Sequence, residues 1–192
     1  RVGQKLRVDA IAVTDEGGDA AKFASVVKQV VDGAPGVPVI LVSKDPAVIE
    51  AGIAHCADKR PLIYAATADN ADAMAAVAKE TGCALVAKGT NLDDTVAVSE
   101  KLLAAGLKDL MLDSGARTVR AALEDSVVGR RSAIRAKFKP LGFSSITFPC
   151  EISADPLMEA MVASVLIAKY AGIVVLSDLQ GDILFPLLLE RL

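Results

Sequence analysis

The sequence contains no tryptophan, and aromatic residues make up only 4% of its 192 positions, although 53% are hydrophobic. A β-sandwich core built on tyrosine and tryptophan is therefore excluded. An Ala, Val and Leu-rich chain suits short parallel strands covered by helices on both faces. Histidine occurs once, and the three cysteines, Cys56, Cys83 and Cys150, are far apart with no C-x-x-C spacing. That pattern argues against a disulfide framework, a zinc site or an iron–sulfur cluster held by this stretch, and reads instead as buried thiols. A strong positive charge is missing too. The formal net charge of -3 excludes the electrostatic footprint of a nucleic-acid binder. No apolar run reaches the roughly 18 residues that mark a membrane span, because Ser177, Asp178, Gln180 and Asp182 interrupt the longest candidate. The first residue is Arg1, with no signal-peptide pattern after it, and the expectation is a cytoplasmic piece of a longer protein.

What the sequence does contain is a rhythm. Short apolar runs end at polar residues: LRVDAIAV at Thr14 and Asp15, VPVILV at Ser43 and Lys44, PLIYAA at Thr67, CALVA at Lys88, DLML at Asp113, SSITF before Cys150, and GIVVL at Ser177. Each reads as a strand buried on both faces. Helical patterns fill the intervals. Phe23, Val26, Val27 and Val30 share one face of residues 20–32, and Asp45-Pro46 and Asp155-Pro156 read as N-caps followed by proline at the first helical position. The helix after Asp155 is expected to bury Met158, Val162, Val165 and Leu166. Residues 118–138 place Val119, Leu123, Val127, Ile134 and Phe138 near helical spacing, with Gly129 weakening the segment by roughly 1 kcal/mol. A last helix near Asp182 would bury Leu184, Leu187 and Leu188.

Seven strand–helix units in steady alternation, with no glycine-rich phosphate fingerprint, predict an α/β fold of the (β/α)8 TIM-barrel class. One unit of the eight is expected to precede Arg1. The whole of residues 1–192 is accordingly expected to be a single, N-terminally incomplete barrel domain of a larger subunit.

Barrel geometry sorts the polar residues, since strand C-termini and helix N-termini share the face where active sites of this fold lie. His55, Cys56 and Cys83 fall on the opposite face, with Gly82 the expected helix C-cap, and only Cys150 reaches the active face. No shared metal site and no Cys–His nucleophile are expected. The face would carry Thr67, Asn70, Lys88, Asp113, Ser177 and Asp178 as candidate cofactor-binding positions, beside Thr14, Asp15, Ser43, Lys44, Ser114 and Glu151. Two chemistries are open to them: Lys88 as a Schiff-base lysine, or Asp113 and Glu151 as an acid–base pair. The competing reading makes the acidic residues helix caps and leaves Lys88 in solvent. The basic run Arg130, Arg131, Arg135, Lys137 and Lys139 reads as a solvated helix face or as a dock for an acidic partner.

The blocks RVGQKLRVDAIAV, RPLIYAATADN, LKDLMLDSG, GRRSAIRAKFKPLGFSSITF, AKYAGIVVL and FPLLLERL, in that order, resemble the barrel domain of the large (gamma) subunit of the corrinoid iron–sulfur protein. That protein belongs to the acetyl-CoA decarbonylase/synthase (CO dehydrogenase/acetyl-CoA synthase, Wood–Ljungdahl) system. The resemblance implies a non-catalytic barrel flanked by an iron–sulfur domain and a corrinoid-binding domain, and paired with a small (delta) subunit. It also implies a complex that carries a methyl group on cobalt from a methyl-pterin methyltransferase to acetyl-CoA synthase. A corrinoid (cobamide) and a four-iron iron–sulfur cluster are then expected in the full-length subunit, and none in this stretch alone. The LDSG strand end resembles the LDPG strand end of pterin-binding methyltransferase barrels, with Ser114 where proline is usual, and pterin binding is not carried over. A stand-alone barrel enzyme, either a pterin-dependent methyltransferase or an aldolase, is the alternative. The Thr67–Asn70 cluster is expected to cap a helix and to contribute to a docking or assembly surface.

Overall fold

A computed structural model describes residues 8–190. The RVGQ start, the Leu6–Arg7 opening of the first predicted strand and the final Arg191–Leu192 lie outside the described residues. Seven strands alternate with helices: β1 (Ile11–Thr14), α1 (Ala20–Gly33), β2 (Val39–Val42), α2 (Pro46–Ile53), β3 (Leu62–Ala66), α3 (Ala71–Thr81), β4 (Ala84–Lys88), α4 (Leu92–Ala104) and β5 (Leu110–Asp113). They continue as α5 (Val119–Arg135), β6 (Ser144–Thr147), a one-turn α6 (Pro149–Ile152), α7 (Pro156–Ala168), β7 (Ala171–Val174) and α8 (Gly181–Glu190).

The chain divides into two compact units, one of residues 1–87 with 101–110, the other of 88–100 with 111–192. In the first, β1 through β4 pair in chain order, all parallel, with Val13 opposite Leu41, Leu41 opposite Ile63 and Ile63 opposite Leu85. Parallel neighbours require a crossover, and each helix supplies one. The strands read as continuous apolar runs because both faces are covered: Leu41, Ile63, Leu85 and Val86 are fully buried. Phe23 and Val27 of α1, Val48 and Ile49 of α2, and Met74 of α3 cover them. Val26, expected on that buried face, is 40% exposed. Asp19 and Asp45 cap α1 and α2, each accepting from backbone N–H groups of the first turn. Gly82 ends α3 at φ 66, as its position predicts.

In the second unit β5, β6 and β7 are again parallel and in chain order. β6 and β7 are less fully buried than β2, β3 and β4 of the first unit. β6 has the sequence SSIT and buries Ile146 among its four residues, while β7 stops at Val174, short of the predicted end near Ser177. Asp155 caps α7 by accepting from Met158 N. Two expectations fail in this unit. Met158 and Val165 of α7 are 48% and 39% exposed rather than buried, because the inward arc is taken by Glu159, Ala160, Val162, Ala163 and Leu166. On α5 the valines and Ile134 face outward and Ala122 is the buried residue. In α8, Leu187 is buried while Leu184 and Leu188 are half-buried.

Candidate functional site

The C-terminal end of β5 carries the densest polar construction. Asp113, the last residue of that strand, is 4% exposed, and its carboxylate is met by the Arg117 guanidinium through Nη2 at 2.9 Å and Nη1 at 3.2 Å. Gly115 N donates to the same carboxylate at 2.8 Å. A carboxylate buried this deeply needs a paired cation and hydrogen bonds, and it has both. Arg117 also pairs with Glu151 at the start of α6 and lies 5.4 Å over the Phe148 ring. Asp113 and Glu151 thus share one arginine and form an ion cluster.

The backbone under this cluster is equally fixed. Gly89, just past β4, donates its N–H to Asp113 O, and Thr95 Oγ1 donates to the same carbonyl at 3.2 Å. Gly115 has φ 72, and a Cβ there would stand 2.3 Å from Gly89 O. The glycine of LDSG is required by both the left-handed conformation and this close approach.

Beneath α5 runs a cleft of about 150 Å3, from Asp113 and Arg117 past Ser126, Gly129 and Ser145 to Tyr170. Small or polar side chains of α5 and the hydroxyl-rich β6 line part of it, and large apolar side chains such as Leu112, Phe148 and Leu166 line the rest. Arg130 closes one edge by lying 5.6 Å over the Tyr170 ring.

The other candidate positions are built into the scaffold. Asn70 occupies the N-cap position of α3 but makes no capping bond. Its Oδ1 accepts from Thr67 N at 2.7 Å and from Thr67 Oγ1, and its Nδ2 donates to Lys44 O and Ala65 O. The cluster therefore sews the β2 and β3 ends together instead of capping the helix. Lys88 is the half-buried last residue of β4. Ser177 gives both its N–H and its hydroxyl to the Glu159 carboxylate, at 2.7 and 2.6 Å. Asp178 accepts from Leu179 N and from Gln180 Nε2. In the first unit Asp15 accepts from Gly17 N, Gly18 N and Ser43 Oγ, which holds its carboxyl below the usual carboxylate range.

Among the described residues no group of three or more His, Cys, Asp or Glu side chains could hold a metal. Cys56 and Cys83 are buried, and burial pushes the Cys56 thiol up to about 11. Burial, with Glu159 and Glu151 nearby, also raises the Cys150 thiol. Raised thiols are poor cluster ligands, because the thiolate is the ligating form. An iron–sulfur cluster does not fit these residues. Nor does the cleft fit a corrinoid, since pockets enclosing even drug-sized ligands run to about 300–1,000 Å3.

Residues 1–192 match the family described as CO dehydrogenase/acetyl-CoA synthase delta subunit. The chain belongs to that family. Its curated relatives are named as a large subunit or as a gamma subunit. The chain is 38% identical over 191 residues to the corrinoid/iron–sulfur protein large subunit of Moorella thermoacetica. It is 33% identical over 199 residues to an acetyl-CoA decarbonylase/synthase complex subunit gamma 2 of Methanosarcina thermophila. These alignments cover 100% and 96% of this chain but 42% of each relative, so the chain spans about two fifths of their length. Within the CO dehydrogenase/acetyl-CoA synthase family it corresponds to the barrel domain of the large subunit, as the sequence blocks predict. Solved structures agree on the fold. Rv1207 of Mycobacterium tuberculosis matches with a TM-score of 0.68 at 16% identity, over 95% of this chain and 80% of that one. Dihydropteroate synthase of Thermus thermophilus matches with a TM-score of 0.60 at 18% identity, over 86% and 75%. The architecture is that of the TIM-barrel class, with seven strand–helix units. Among the described residues no helix is long and apolar enough to cross a membrane.

Sequence reasoning missed Arg117, Glu159 and the Gly89–Gly115 approach. Arg117 stands four residues after Asp113, a spacing that could have flagged an ion pair. A single glutamate in the otherwise apolar PLMEAMVASVLIA was the available signal for a buried carboxylate.

Proposed function

We propose that this chain is the barrel scaffold and interaction domain of a corrinoid iron–sulfur protein large subunit. In this reading the whole subunit, working in the cytoplasm with a small (delta) subunit, carries a methyl group on cobalt. It receives the group from a methyl-pterin methyltransferase and delivers it to acetyl-CoA synthase. The observation that carries the reading is the 38% identity to the Moorella large subunit along the full chain.

The site chemistry supports a scaffold over a catalyst. The Asp113 carboxylate is neutralised by Arg117, the Asn70 amide is satisfied at both ends, and Ser177 is spent on Glu159. A general base needs a carboxylate within reach of a substrate proton, and here the best-placed one is held by a guanidinium. The corrinoid and the iron–sulfur cluster would be held by parts of the subunit beyond these residues, because neither fits the groups described above.

Metal analysis tests the reading on protein purified from its native source with its partners attached. Cobalt and iron co-purifying in fixed ratio to this chain are expected. Protein carrying neither metal overturns the reading and turns attention to Lys88, where borohydride trapping with a carbonyl substrate would reveal a Schiff base.

A further inference from the structure

Helix α7 has one charged residue in thirteen, Glu159, and that carboxylate turns inward to Ser177. The opposite arc consists of Leu157, Met158, Met161 and Val165, which are 67%, 48%, 58% and 39% exposed. A helix facing water ordinarily shows polar residues on that side. Helix α5 is inverted in the same sense. Ala122, Ser126, Gly129 and Ala133 line the cleft, while Val127, Val128 and Ile134 point outward. Helical spacing places Arg131 and Arg135 on the same outward arc as those three. Ala122 packs against Val162 and Leu166, which makes the two helices neighbours. By contrast, among the described residues of the first unit Val26 is the one large apolar side chain left exposed.

We propose that the outward faces of α5 and α7 form a docking surface for another polypeptide of the assembly, one that presents an apolar patch with an acidic rim. The inference rests on the complex-subunit reading above. Interface cores are depleted of charge, and the outward arc of α7 has none. Charge complementarity selects the partner. Arg131 and Arg135 lie along the outward arc of α5, and Lys137 and Lys139 follow directly after that helix, in a chain whose net charge is -3. A second copy of this chain would set these cations against themselves, and like charges across an interface are repelled.

Oxidative footprinting of the complex from its native source tests the proposal through Met158 and Met161, with Met74, 0% exposed, as the internal control. In the intact complex both methionines should oxidise at a rate close to that of Met74, and much faster in this subunit once separated from its partners and held at low ionic strength. The Arg131→Glu/Arg135→Glu double variant, assembled with the same partners, should associate at least roughly tenfold more weakly at low salt, and Met161→Asp should do likewise. An intact, metal-bearing complex in which Met158 and Met161 oxidise as fast as after dissociation overturns the docking face and leaves the subunit reading standing. Cross-links joining α7 of two copies, or protection obtained on anionic vesicles instead of the partner complex, overturn the choice of occupant. A chain that purifies alone and metal-free overturns the subunit reading and this inference together.

Discussion

Arg117 shows how one side chain can close a site. Its guanidinium pairs with a carboxylate that is 4% exposed, so its removal takes this cation away from the buried Asp113. Breaking a buried pair from one side typically costs about 3–5 kcal/mol, and Arg117→Met is expected to lower stability by about 3 kcal/mol in urea unfolding, since Arg117 keeps some solvent contact. The double variant Asp113→Asn/Arg117→Met should recover part of that loss, because the buried carboxylate is removed together with its cation, while Glu151 is partly exposed. Asp15 gives a pH-dependent counterpart. Its folded-state carboxyl titrates below the ordinary value of 3.8, so its contribution to stability is fully present above that value and disappears as pH falls through the lower, folded one. Carboxyl carbon shifts followed by NMR should show Asp15 titrating below the ordinary carboxylate range in an acid series. The sequence marked Asp113 and Asp15 as strand-end residues, and that placement is correct. It could not show what they bind, because the partners come from turns folded back by i,i+4 and long-range contacts that periodicity does not encode.

The strands and helices were legible because each carries its own local signal. Asp45-Pro46 and Asp155-Pro156 mark helix starts, Gly82 marks a stop, and VPVILV has no period other than continuous burial. Orientation was less legible in α5 and α7, where apolar residues lie on the outward arc and small or acidic ones lie inward. A periodicity argument assigns the apolar arc to the core and fails when that arc is turned to the outside. Within α5, Gly129 faces open space, the nearest atom to an added Cβ being Leu92 Cδ1 at 4.0 Å. Gly129→Ala is therefore expected to raise stability by about 0.5–1 kcal/mol in thermal or urea unfolding. Gly115→Ala should do the reverse, losing about 2 kcal/mol or more from a strained φ and the collision with Gly89 O.

Across the whole molecule the two units differ in how they use their apolar residues. The first encloses them beneath α1, α2 and α3, whereas the second leaves long apolar side chains on α5 and α7. An exposed apolar area of this kind marks a binding site or an aggregation liability. The chain isolated from its partners should therefore self-associate increasingly as salt screens its basic rim, which sedimentation velocity at low and high ionic strength would detect.

Asn70 brings the molecule into chemical time. Its amide nitrogen gives hydrogen bonds to Lys44 O and Ala65 O, two acceptors that have no use for a carboxylate. Deamidation to aspartate would leave an oxygen facing each carbonyl and a new negative charge at the junction of β2 and β3. Protein carrying aspartate at position 70 should keep its mass almost unchanged while its first unit loosens, because the junction would then present an acceptor where it needs a donor.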